Sequence, residues 1–211
     1  ARKAAESIRA LSGKEVALLA AKDEVLLPKA ALSKDSLFRR LEGIHRFRKG
    51  ADVLVADIEA LLQLFPKDLP SVALKTGEDA DFSTLVERLV GMGYVRGQAV
   101  ESKGSFALHG DILDIFPVNC ENPVRVDFFG DGVESIKPYD LMTGDRLPVA
   151  DSLEIVAATD VFVSEDERED VLKALAAEPK KCATSEAYAR ACAVADEAIG
   201  RVENGRADNF V

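Results

Sequence analysis

The sequence predicts an α/β fold: part of a doubly wound, parallel-sheet domain, interrupted by a strand-rich α+β module, with helices closing the chain. Over the first third, helical spacings alternate with short apolar strands, as in sheets built from crossover units. Residues 93–139 are denser in two-faced strand patterns and glycine turns than any other stretch, and the chain returns to helical spacing beyond Ser164. These shifts divide it into a partial α/β domain over 1–74, an inserted module over 75–158 and a helical return to the α/β domain over 159–211.

In chain order, Ala4, Ile8 and Leu11 fall at helical spacing, Gly13 stands where a C-terminal cap is expected, and residues 16–20 read as a buried strand. A short extended piece over 25–27 precedes Pro28. Residues 36–49 carry Leu37, Leu41 and Ile44 on one stripe, with Arg39, Arg40, Arg46, Arg48 and Lys49 outside it, which predicts a surface helix with a basic outer face. DVLVA at 52–56 is a continuous apolar strand of the parallel-sheet kind, and Asp57 opens a helix expected to reach Phe65 before Pro66. The first residue already lies in a helix and too few strands follow to close such a sheet, so the sequence reads as starting inside a domain.

A strand over 72–74 leads through Thr76-Gly77 and the acidic Glu78, Asp79 and Asp81 to a helix over 82–90 that turns Leu85 and Leu89 inward. In the module, Phe106 and Leu108 alternate with Ala107 and His109, and Val124, Val126 and Phe128 with Arg125, Asp127 and Phe129. Ser102-Lys103-Gly104 and Gly130-Asp131-Gly132 supply glycines for tight connections, predicting a meander of antiparallel hairpins. After Tyr139 comes a loop and a short strand over 153–156. Ser164 and Glu167 match a capping box for a helix ending at Pro179, and a second helix over 184–202 puts Tyr188, Cys192, Ala195, Ile199 and Val202 on one stripe before Asn204-Gly205.

The composition narrows the chemistry. A formal net charge of -10 and a pI near 4.8 in 211 residues argue against a broad electrostatic grip on phosphate backbones. Cys120, Cys182 and Cys192 form no C-x-x-C pair, and His45 and His109 have no metal-spaced companion, so plain reduced thiols, no metal and no cofactor are expected. The sequence has neither a membrane-length apolar run nor a leader pattern, which places the expected location in the cytoplasm. Ser12-Gly13-Lys14 is a poor phosphate loop, because the glycine follows a helix and precedes a strand, the reverse of the phosphate-binding order, and Glu15 stands where a hydroxyl residue is needed. Asp111 and Asp114, three apart on a strand, point to opposite faces and do not make an acid/base pair; a turn carboxylate and an arginine partner are the simpler roles. No catalytic residue is assigned.

Arg96, His109 and Arg125 are more informative, being placed on or beside strands of an otherwise acidic chain. A guanidinium offers a planar fork for carboxylates, and aromatics such as Phe106 or Phe116 can exclude water around it, a combination suited to protein recognition.

GYVRGQAVESKGSFALHGDILDIFP, followed by PVRVDFFGDGVESIKPYDLMTGDR, resembles the module shared by the excision-repair protein UvrB and the bacterial transcription-repair coupling factor (Mfd). The resemblance implies a docking surface for UvrA, with Arg96 as the first docking arginine, Phe116 as the aromatic of the F-P end, and Arg125 in the R-x-D-F-F segment. His109 stands where the family usually has arginine before Gly110-Asp111, and an imidazole lacks the guanidinium fork. The segment AKDEVLLPKAALSKDSLFRRLEG has none of the tyrosines of UvrB's DNA-wedging hairpin, so the likeness favours the coupling factor's amino-terminal UvrB-homology region. It further implies a degenerate, helicase-like α/β domain without a phosphate loop. The implied role is recruitment of UvrA to RNA polymerase stalled at DNA damage, with polymerase, DNA and the ATP-dependent motor engaged by regions outside this chain. A UvrB-like damage-binding fragment and a nucleotide-dependent α/β enzyme are the alternatives, separable by lesion-DNA binding and by nucleotide-induced stabilisation.

Overall fold

The computed structural model describes residues 1–22, 34–162, 165–181 and 184–203. The expected piece at 25–27, Ser164 of the capping box, Cys182 and the Asn204-Gly205 stop lie outside the described residues. Cys120 and Cys192 are free thiols. No helix among the described residues is long and apolar enough to cross a membrane. The chain separates into two compact units, Ala1–Asp160 and Val161–Phe210.

The first unit begins with α1 (Arg2–Ser12), β1 (Val16–Leu19), α2 (Asp35–Arg48), β2 (Val53–Ala56) and α3 (Ile58–Leu62). β1 and β2 pair in parallel, Val16 beside Val53 through Leu19 beside Ala56. Gly13 takes φ 63° and its N–H donates to the Arg9 carbonyl at 3.1 Å, so Ser12-Gly13-Lys14 closes the carbonyl end of α1 and presents no helix N-terminus to an anion. Leu19, Ile44 and Ala60 form a buried cluster joining β1, α2 and α3. The helix lies directly on the strand: a Cβ added at Gly43 would fall 2.0 Å from the Leu18 carbonyl oxygen.

Two expectations fail here for physical reasons. Arg40 is not on a basic outer face but fully buried. Its Nη1 donates to the Ala20 and Ala60 carbonyls, both at 3.0 Å, its Nη2 to those of Gln63 and Leu64 at 3.2 and 3.3 Å, and its guanidinium stacks 5.1 Å from the Phe65 ring centre. One planar group thereby satisfies a carbonyl of the last turn of α3, those of the two residues that follow it, and that of Ala20 after β1. That helix stops at Leu62, short of Phe65, because Gln63 is extended (φ -80°, ψ 142°). Its side-chain amide accepts from the Lys22 N–H at 2.9 Å and donates to the Lys22 carbonyl at 2.8 Å.

The chain continues through β3 (Ser71–Lys75), α4 (Phe82–Gly91), β4 (Val95–Arg96), β5 (Ser105–His109), β6 (Ile112–Ile115), β7 (Val124–Phe129), β8 (Gly132–Pro138) and β9 (Ser152–Val156). β3 and β9 pair antiparallel, and β4 to β8 form a five-stranded sheet in sequence order. Asp81 caps α4, accepting from the N–H groups of Ser83 and Thr84 and from both hydroxyls. β5 to β8 are the expected antiparallel meander, but β4 runs parallel to β5, so Ser102-Lys103-Gly104 is not a hairpin turn. Gly104, at φ 80°, instead lets the chain pass Phe38, whose Cζ would lie 2.8 Å from an added Cβ.

The inner face of the sheet buries Phe106, Leu113, Ile115, Val126, Phe128 and Ile136, and Phe82 meets Phe128 edge-on at 5.0 Å. Tyr94 ties this core to β9: its hydroxyl donates to the Val156 carbonyl at 2.7 Å and accepts from the Val118 N–H at 3.2 Å. The second unit holds α5 (Glu165–Ala177), a 3-10 turn (Glu178–Lys181) and α6 (Ser185–Glu203). Ala195, Ala198 and Val202 make the buried stripe of α6, while Tyr188, expected on it, is 47% exposed.

Candidate functional site

Strand alternation gives the sheet an outer face of polar rows. One row runs Ala107, Asp114, Arg125 and Lys137 across β5 to β8; the next runs His109, Ile112, Asp127 and Ser135. Residues directly opposite on neighbouring strands share a face, and opposite charges there attract. Arg125 donates from Nε and Nη2 to the two oxygens of Asp114, at 2.8 and 2.7 Å. Lys137 Nζ and Ser135 Oγ both donate to Asp127 Oδ2 at 2.6 Å.

The electrostatics follow these contacts. Hydrogen bonding to Asp114 raises the Arg125 pKa, against some desolvation. Burial works to raise Asp127, yet the Lys137 and Ser135 hydrogen bonds outweigh it and hold the carboxyl below its ordinary value. Tyr139 is pushed up by burial first and by the Asp114 charge second, with Arg125 opposing. Asp114 and Asp127 thus each have a cation of their own, and what the two rows offer a partner is chiefly hydrogen-bond donors. Among the described residues no cluster of His, Cys, Asp and Glu could hold a metal ion.

A cleft of about 500 Å³ opens on this face, lined among others by His109, Ile112, Arg125, Lys137, Tyr139 and Arg146. The structure therefore brings His109 and Arg125 together. Arg96 stands apart from both: it is exposed on the edge strand β4 and does not line the cleft. The N–H groups of Val95 and Gly97 donate to the Gly104 and Phe106 carbonyls at 2.9 and 2.8 Å, so the peptide groups of Arg96 itself point to the open edge of the sheet. Its side chain has no hydrogen bond or ion pair among the described residues.

Phe116 corrects the sequence reading, since it is 8% exposed and belongs to the core. Its N–H donates to the Ser105 carbonyl at 3.0 Å, its carbonyl accepts from the Gly104 N–H at 2.8 Å, and the Lys103 ammonium sits 5.7 Å from its ring centre. Phe106 is buried as well, so neither ring rims a surface contact. Residues that sequence reasoning missed are Lys137, Tyr139 and Arg146. Lys137 reaches its place opposite Arg125 only through the register shift between Asp127 and Phe128, which counting from the Phe129–Gly132 pair does not give. Arg146 had no signal either, because its place depends on the fold of the loop after Tyr139.

Residues 72–161 match the UvrB interaction domain. The chain is similar to the transcription-repair-coupling factor of Bacillus subtilis (strain 168), 28% identical over 191 residues, covering 86% of this chain and 16% of that protein. It is also similar to the transcription-repair-coupling factor of Myxococcus xanthus, 32% identical over 157 residues, 69% of this chain and 13% of the relative. To the UvrABC system protein B of Clostridium botulinum (strain Langeland / NCTC 10281 / Type F) it is 34% identical over 104 residues, 49% of this chain and 16% of the other. The chain thus spans less than a fifth of the length of these relatives. Residues 72–161, from β3 to just past β9, match the UvrB interaction domain, and over most of its length the chain is similar to transcription-repair-coupling factors.

Proposed function

We propose that this chain is a docking fragment of a transcription-repair coupling factor, which binds UvrA through the five-stranded sheet and brings it to RNA polymerase stalled at damaged DNA. The observation that carries the reading is Arg96: a guanidinium exposed on an open sheet edge, without an internal partner, inside a UvrB interaction domain. A rigid strand edge bearing an unpaired fork recognises a partner carboxylate with little ordering cost, and such charge complementarity sets specificity and encounter rate. His109 extends the surface from the other face, and Phe116 supports it from beneath by holding β5.

In this reading the fragment binds and does not catalyse. Asp114 and Asp127 are occupied by Arg125 and Lys137, and Ser12-Gly13-Lys14 closes a helix at its carbonyl end. Polymerase, DNA and ATP are handled by the remainder of the longer protein, which works in the cytoplasm. The test is a titration of the chain with purified UvrA. Arg96→Ala is expected to weaken binding with an unchanged unfolding midpoint, and His109→Arg to strengthen it. Binding by Arg96→Ala as tight as by the native chain would remove the central support of this proposal.

A further inference from the structure

The outer-face cleft has one guanidinium that the fold itself does not use. Arg125 already gives two of its donors to Asp114, and Lys137 is held by Asp127. Arg146, on the cleft wall, is exposed and makes no side-chain hydrogen bond or ion pair among the described residues. Nor does the adjacent Asp145 pair with it.

The backbone that carries Arg146 is nevertheless well fixed. Arg146 forms an antiparallel bridge with Tyr139 at the end of β8. Between them the chain closes on itself: the Asp140 N–H donates to the Asp145 carbonyl and the Gly144 N–H to the Asp140 carbonyl, both at 2.9 Å. Asp140 Oδ1 accepts from the Met142 and Thr143 N–H groups at 2.8 and 2.9 Å. A side chain on so constrained a turn loses little backbone freedom when it binds.

We infer that Arg146 is the carboxylate receptor of the cleft: an acidic side chain of the docked partner enters beside Tyr139 and His109 and pairs with the free fork of Arg146, while Arg125 stays with Asp114. This rests on the docking reading above and adds to it a second anchor, on the face opposite the core and separate from the sheet edge that carries Arg96. The chemistry favours an anion because the cleft's own carboxylates already have partners and its remaining donors are unmet. It favours a bidentate carboxylate because guanidinium is planar and forked.

The experiment measures the affinity of the 211-residue chain for purified UvrA with Arg146→Ala, Arg146→Lys and Arg96→Ala beside the native protein. Arg146→Ala is expected to weaken binding roughly tenfold, the scale of one charge-assisted pair. Its unfolding midpoint should not move, since no internal contact is lost. Arg146→Lys should recover only a minor part, because an ammonium keeps the charge without the fork. If Arg146→Ala or Arg146→Lys binds like the native chain while Arg96→Ala is weakened, the docking reading survives and the Arg146 assignment falls. If the native chain itself fails to bind UvrA, both fall together.

Discussion

Arg125 grips Asp114 across β6 and β7 with two parallel hydrogen bonds, yet the partners are unequally placed: the arginine side chain is 48% exposed and the aspartate 6%. Removing the arginine therefore strands a nearly buried carboxylate. Arg125→Ala is expected to lower stability by about 1–3 kcal/mol, read as a shift in the urea midpoint at unchanged slope. A fall in partner affinity for this variant is then to be measured well below its unfolding range. An unshifted midpoint would mean that the pair contributes nothing to the sheet.

Arg40 ties β1, α2 and α3 through four backbone carbonyls. Arg40→Met fills much of the volume but leaves those carbonyls without their donor, and a loss of about 2–5 kcal/mol is expected by chemical denaturation. Arg40→Lys should recover part of it, as an ammonium carries three donors and cannot stack on Phe65. A variant as stable as the native protein would show that water replaces the guanidinium at no cost.

Two glycines should answer alanine in opposite ways. At Gly43 the new methyl would collide with the Leu18 carbonyl, so α2 must move off β1, costing about 1–3 kcal/mol or more. At Gly91, the last residue of α4, nothing lies within 4 Å, and alanine is expected to stabilise by about 0.4–1 kcal/mol through the unfolded chain. Thermal melts of both variants, with amide exchange in β1 for the first, check the pair. Equal effects would contradict the packing described.

Acid should unfold the first unit by a route that runs through its caps. The Ser83 and Thr84 donors hold Asp81 down at about 2. Glu154 is also lowered, burial opposing while Lys49 and His45 prevail. A carboxyl depressed on folding contributes stability that is fully present above its unfolded value near 4 and is lost as pH falls through the folded value. The melting temperature should therefore drop between about pH 4 and pH 2. Asp81→Asn, which caps without titrating, should decline less steeply over that window. An identical slope in the variant would rule out Asp81 as a contributor.

Much of this architecture was legible in the residues. Gly13 as a cap, Asp81 opening α4, the apolar runs of β1 and β2 and the alternation of β5 and β7 are local signals, and local chemistry decides them. What escaped depends on partners distant in sequence. Helical spacing set Arg40 among the outward charges, because nothing local announces that the carbonyls of Ala60, Gln63 and Leu64 await it. Phe116 and Arg125 kept the polarity expected of them, but long-range pairing made one a core ring and the other a fastener for Asp114. The parallel start of the sheet was hidden for a similar reason: Ser102-Lys103-Gly104 marks a turn but not a strand direction, and β4 pairs with β5 in parallel.

The antiparallel pairing of β3 with β9 has a consequence for how such a protein can be assembled. Lys75 and Ser152 lie side by side, so the chain between them departs and returns at one place. A change of length between them therefore need not alter where the flanking chain enters and leaves, provided that Gly104 still clears Phe38 of α2.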